Sequence, residues 1–196
     1  MTPETAQLIT AAKDMVLGIA AAVTAFVAVR GLNKWHHEMS GKNEYEVARN
    51  LIKATYRLRE ALTSARSPFM WSNEFRESGH DDDDDRFAHA YNARFKPVIA
   101  ALEEFGTAGL EAEALWGATI KAATSALEQC VREVYVAMEA IVDNKREKNE
   151  NFKADPEFGK KMRAAAHGSG DNAVSKKILA AVKDIEDEVR PRMAPK

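Results

Sequence analysis

The sequence predicts an all-α protein: a single N-terminal transmembrane helix followed by a cytoplasmic antiparallel four-helix bundle. Three observations predict it. Residues 15–29 read MVLGIAAAVTAFVAV, with no charged residue. Later segments repeat apolar residues three and four apart, the period of one helix face. The longest of them, from Ile120 to Ile141, keeps a four-three alternation suited to packing neighbouring helices.

The apolar run is the first element. Fifteen residues of helix rise about 22 Å, against about 30 Å of hydrocarbon. Leu8, Ile9, Ala11 and Ala12 extend it backwards if Lys13 and Asp14 snorkel to the headgroups, giving a span of roughly 22 residues. The residues expected to span the membrane and drive insertion are Leu17, Ile19, Val23, Phe26, Val27 and Val29. Only Lys13 precedes the run, offset by Glu4 and Asp14, whereas Arg30, Lys34, Lys42 and Arg49 come after it. Arg30, Lys34 and Trp35 then stand at the membrane interface, and the positive-inside rule puts the N-terminus outside and the bulk of the chain in the cytoplasm. A cleaved signal peptide would carry its charge in front of the run instead. A buried or interfacial Ala/Val-rich helix is the other structural solution. Gly18 and Ala22, and likewise Ala21 and Ala25, are small residues four apart, so Gly18, Ala22 and Ala25 mark a face for self-association in lipid.

Residues 1–40 are therefore read as anchor and juxtamembrane helix, and 41–196 as the bundle domain. Gly41 and Asn43 are turn residues that interrupt the first helix. A helix from about Glu44 to Ala65 turns Ala48, Leu51, Thr55, Leu58 and Leu62 inward and most of its charges outward, until Ser67-Pro68 ends it. Residues 69–86 are read as irregular. Asp81–Asp85 repel one another, which suits an exposed loop or a helix N-terminus. A helix from about Arg86 to Phe105 presents Tyr91, Phe95, Val98, Leu102 and Phe105, with a kink at Pro97. Gly106 and Gly109 bracket a loop, and Thr107 can cap the next helix. That long helix, from about Leu110 to Lys148, carries the seam Ile120, Thr124, Leu127, Val131, Val134, Met138 and Ile141. At about 58 Å it exceeds its partners, and Gly117 is where it would break. A polar stretch containing Pro156, Gly159 and Gly168 leads to a last helix, from about Asn172 to Arg190, stopped by Pro191.

Composition limits what such a protein can do. The 196 residues allow one domain with a real core, and 45% apolar with 30% charged residues is a globular balance. A net charge of −2 gives nucleic-acid binding no electrostatic support. Cys130 has no intramolecular disulfide partner, which suits a reducing compartment, and its place in an apolar stripe makes it a buried structural thiol.

Arg30-Gly31-Leu32 through Trp35, Gly41-Lys42, Glu44-Tyr45-Glu46, Ala48-Arg49, Tyr56 and Arg66-Ser67-Pro68-Phe69-Met70 resemble a group of uncharacterised bacterial proteins. In these, one N-terminal membrane segment precedes a helical cytoplasmic region. The resemblance covers about the first seventy residues and implies the bacterial inner membrane, without supplying a function. It also implies that Trp35, Tyr45, Arg49, Tyr56, Arg66 and Phe69 gather on a membrane-proximal surface.

Site chemistry is sparse. The sequence has no Gly-rich phosphate loop and no zinc spacing. Its one Glu-x-x-His, Glu77 to His80, contains Gly79 and so does not suit a helix. His36-His37 fits interfacial packing. No cofactor, metal, nucleic acid or small-molecule substrate is expected, and no catalytic residue is assigned. The expected function is a non-enzymatic, membrane-anchored interaction or scaffold protein, binding the membrane and either a second copy (a homo-oligomer) or another protein. An oligomeric membrane-acting effector or sensor is the alternative, and a bundle enzyme with metal near His80 to His89 a remote one.

Overall fold

The structure, a computed structural model, describes residues 3–67, 83–168 and 172–193. Before Gly41, side-chain surroundings are described only for Met15, Leu17, Gly18, Ala20–Gly31 and Met39. Six helices occupy the described residues: α1 Pro3–Ala65, α2 Asp83–Trp116, α3 Ala118–Arg146, α4 Glu150–Ala154, α5 Pro156–Ala166 and α6 Ala173–Met193. No strand occurs among them. The chain divides into two compact units, Met1–Asn43 (with Lys196) and Glu44–Pro195.

In the second unit, the end of α1 packs with α2, α3 and α6 as a bundle. Arg57 Nη1 meets Glu104 at 2.6 Å, and Asn50 and Glu111 share a groove, so α1 and α2 run antiparallel. Phe95 contacts Tyr135 while Lys145 lies over Phe87, which sets α2 against α3. Lys177 pairs with Glu133, and Arg192 reaches Trp116 just ahead of α3, so α6 runs opposite to α3. Tyr56 donates to Glu186 and Arg66 to Ser175, so α6 opposes α1 too. Leu51, Leu58, Leu62, Val98, Phe105, Ile120, Leu127, Val134, Ile185 and Val189 fill the centre with almost no exposure. Burying side chains of this size stabilises by roughly 1.5–3 kcal/mol each. All seven residues of the α3 seam are buried, as its spacing requires.

Several boundaries differ from the sequence expectation. Met39–Asn43 does not interrupt α1, and Gly106 and Gly109 lie inside α2. A single glycine costs a helix about 1 kcal/mol, which the neighbouring good helix formers offset. The reversal falls at Gly117, whose φ of 71° suits a residue without Cβ. Pro97 sits inside α2 and Pro191 in the last turn of α6 without ending either helix. The polar stretch after α3 is helical in two pieces. Asp155 caps α5 by accepting from Phe158 N at 2.9 Å, and Pro156 takes the first helical position. Gly159 lets Phe152 pack on α5, since a Cβ there would lie 2.8 Å from the ring. Asp83–Asp85 open α2; Asp81, Asp82, His80, Phe69 and Met70 lie outside the described residues.

The expected membrane-spanning helix is not found: among the described residues no helix is long and apolar enough to cross a membrane. The uncharged run of residues 15–29 rises about 22 Å as a helix, against about 30 Å of hydrocarbon. Five of those residues are alanine, which adds little transfer energy.

Candidate functional site

Three regions carry features beyond core packing. The first is the apolar stretch of the N-terminal unit. Leu17, Val23, Phe26, Val27 and Val29, expected as spanning residues, are all exposed, Phe26 at 64%. Gly18, Ala22, Ala25 and Arg30 are exposed as well, and a Cβ at Gly18 would meet nothing within 4 Å. Ile19, Lys34 and Trp35 belong to α1, but their side chains lie outside those described. Every face of this stretch is apolar or small, so no polar side offers water a preferred surface.

The second region is built on Arg66, which is 3% exposed and the most polar group in the bundle interior. Its Nε donates to Ala165 O at 2.9 Å, Nη1 to Ser175 Oγ at 3.2 Å and Nη2 to Asn172 Oδ1 at 3.1 Å. Its own carbonyl accepts from Gly168 N at 2.7 Å. Asn172 Nδ2 donates to Ala164 O and His167 O, and Asn172 Oδ1 accepts from Ser175 N to cap α6. One guanidinium thus joins the end of α1, the end of α5 and the start of α6, satisfying carbonyls those helix ends leave over. Burial pulls its pKa down, while Cys130 and Glu133 act the other way. His167 is held below its ordinary value by burial, then by Arg94 and Arg66. Burial, then Glu133, pushes the Cys130 thiol up. A group this fixed, and always protonated, is a structural clasp rather than an acid or base. Of the six residues that the resemblance implies on a membrane-proximal surface, Phe69 and the Trp35 side chain lie outside those described, and Tyr45 and Arg66 do not gather. Tyr45 lies on α1 and Arg66 just past its end, 21 residues further along, about 32 Å; Tyr45 is exposed and Arg66 buried.

The third region is a groove of about 310 Å³ between α2 and α3. Tyr91 and Phe95 wall it from α2, Tyr135 and Met138 from α3, and Glu139 and Asp143 stand at its rim. Among the described residues no group of three or more His, Cys, Asp or Glu is placed to hold a metal ion. His89 is exposed, and the His80 half of that pair lies outside the described residues.

No protein family, curated protein or solved structure matches this chain.

Sequence reasoning placed Tyr91 and Phe95 on the core face of α2, but it missed the groove because Tyr135 lies off the α3 seam. It missed the clasp because Arg66 lies just past the end of its helix and is paired across about a hundred residues. Asn172, three before Ser175 at a helix start, was the legible part of that signal.

Proposed function

We propose that the protein is a membrane-anchored helical interaction protein of the bacterial inner membrane, its N-terminal stretch held in lipid and its bundle presented to a cytoplasmic partner. The observation that carries this is the exposure of an uncharged stretch on every face. A helix hydrophobic all round is stable only when surrounded by apolar matter. A coiled-coil partner would need one stripe and leave polar residues elsewhere; residues 15–29 supply none but Thr24, whose hydroxyl is turned back to Ala20 O at 2.8 Å. Lipid satisfies all faces together. The uncharged run of residues 15–29 alone is short for a span, and Leu8, Ile9, Ala11 and Ala12 lengthen it in sequence. Arg30, Lys34, Lys42 and Arg49 support an inward-facing C-terminal side. The bundle carries a structural clasp and no assembled acid-base or nucleophilic group among the described residues, which favours binding over catalysis.

Alkaline carbonate extraction of membranes containing the full chain tests the anchor. The full chain should stay in the pellet, and a V23R/V27R variant should be released while its bundle stays helical. Release of the unaltered chain would retire the anchor, and purification from native membranes with neither a second copy nor another protein attached would retire the interaction role.

A further inference from the structure

The α2/α3 groove has a composition that ordinary helix packing does not require. Phe95 and Tyr135 lie with ring centroids 5.2 Å apart and planes inclined at 54°, so two aromatic rings from different helices border the groove. Tyr91 adds a third ring to the wall. Tyr135 is 41% exposed. The Glu139 carboxylate beside the Tyr135 hydroxyl raises that group's pKa, which places a negative charge next to the ring. Two carboxylates, Glu139 and Asp143, line the rim against one guanidinium, Arg146, whose Nη1 lies 3.7 Å from Asp143 Oδ1. The rim therefore carries a net charge of −1. Nearby, the Lys145 ammonium already sits 5.8 Å over the Phe87 ring, so an aromatic face at this end of the hairpin attracts a cation.

We propose that this groove binds a small quaternary ammonium group, seated against Tyr91, Phe95 and Tyr135 with Glu139 and Asp143 as counter-charges. Each part of the lining favours that chemistry. Aromatic faces present negative quadrupole to a cation. A trimethylammonium group is large and has no N–H, so it loses little hydration on entering and needs no hydrogen-bond acceptor at contact distance. Carboxylates at the rim attract it through space without closing on it. An anion would meet a negative rim and negative ring faces. A metal ion would need convergent ligands, and two carboxylates with a neighbouring guanidinium do not provide them. The volume lies at the small end for ligand sites, which suits a headgroup-sized molecule. The proposal stands on the groove alone and holds whether or not the N-terminal helix enters lipid.

The same cation occurs on free choline and on the headgroup of phosphatidylcholine, and the experiment separates the two sources. Full-length protein in dodecyl maltoside is titrated calorimetrically with choline chloride, then with 3,3-dimethyl-1-butanol, the neutral isostere. In parallel, it is tested for binding to phosphatidylcholine vesicles and to phosphatidylglycerol vesicles. The expected result is one saturable choline site, with the isostere at least about tenfold weaker. Y135A should weaken choline about tenfold or more and E139Q several-fold, with helical content unchanged because both side chains lie at the surface. Choline binding without Tyr135-dependent capture by phosphatidylcholine vesicles assigns a free ammonium compound. Capture by phosphatidylcholine but not phosphatidylglycerol vesicles, lost in Y135A, assigns the headgroup. Equal binding of the isostere, or no Tyr135-dependent response to either source, overturns the proposal.

Discussion

The first helix contains two contrasting regions. Between Ala20 and Gly31 every side chain is exposed, and apolar groups point in all directions. Between Val47 and Ala65 the burial is periodic: Ala48, Leu51, Thr55, Leu58 and Leu62 are covered while Arg49, Lys53, Arg57 and Glu60 face water. Both stretches are helical and rich in good helix formers, so propensity does not distinguish them. What distinguishes them is how apolar residues are distributed around the axis. A one-sided distribution selects protein neighbours, whereas an all-round one selects an apolar medium.

The sharpest way to break that comparison is the same substitution in each setting. F105A in the bundle removes a fully buried ring and should cost about 3–5 kcal/mol, read from urea denaturation monitored by circular dichroism. F26A in the N-terminal stretch should leave the bundle's midpoint unchanged; a comparable loss would show that the stretch belongs to the folding core. Next comes the clasp. R66M leaves Ala165 O without its side-chain donor, removes one of the two donors to Asn172 Oδ1 and should destabilise by about 2–4 kcal/mol, whereas R57M on the exposed face of α1 should cost less than about 1 kcal/mol. Similar losses at the two arginines would refute the clasp.

Protonation should separate the regions as well. His167 has a lowered folded-state pKa, so below about 6.5 the unfolded chain binds more protons than the folded one. Stability should then fall as pH drops through that value, and H167Q should flatten the acid limb. Cys130 and Tyr91 have raised folded-state values through burial, so the folded state resists their ionisation. Stability should fall as pH rises past about 9, the ordinary thiol value, with C130A removing the first part of that loss. A stability curve unchanged by H167Q and C130A across both limbs would show that neither group titrates with folding. The smallest expected effect is at the Arg57–Glu104 pair. Both partners are more than half exposed, so E104Q should change stability by no more than about 0.2–1 kcal/mol.

Much of the bundle was legible in the sequence because burial repeats along a helix. The Ile120–Ile141 seam and the inward positions of α1, α2 and α6 can be read from spacing alone. Boundaries were less legible, since Gly41, Gly106 and Gly109 are punctuation in isolation but harmless where flanking turns are strong. Phe152, Met162 and Ala165 were overlooked in a stretch whose average polarity hides two short amphipathic turns; Asp155-Pro156 marked the start of one of them. The candidate sites were least legible. Arg66 is defined by acceptors far along the chain, and the groove by aromatic rings from two helices whose relative alignment no local pattern specifies.

That alignment has a consequence for how the protein can change over time. Trp116 ends α2 and Ala118 begins α3, so a lone glycine turns the chain around. With no slack at the turn, an inserted or deleted residue in either limb would rotate everything beyond it by about 100°. The side chains facing Thr124, Tyr135 and Lys145 would all be exchanged together. Length variation is thus excluded from the hairpin and should be tolerated only after Arg146, where short helices and capped breaks can take up the difference. Related chains should differ in size between α3 and α6 and keep the spacing from Asp83 to Arg146 constant.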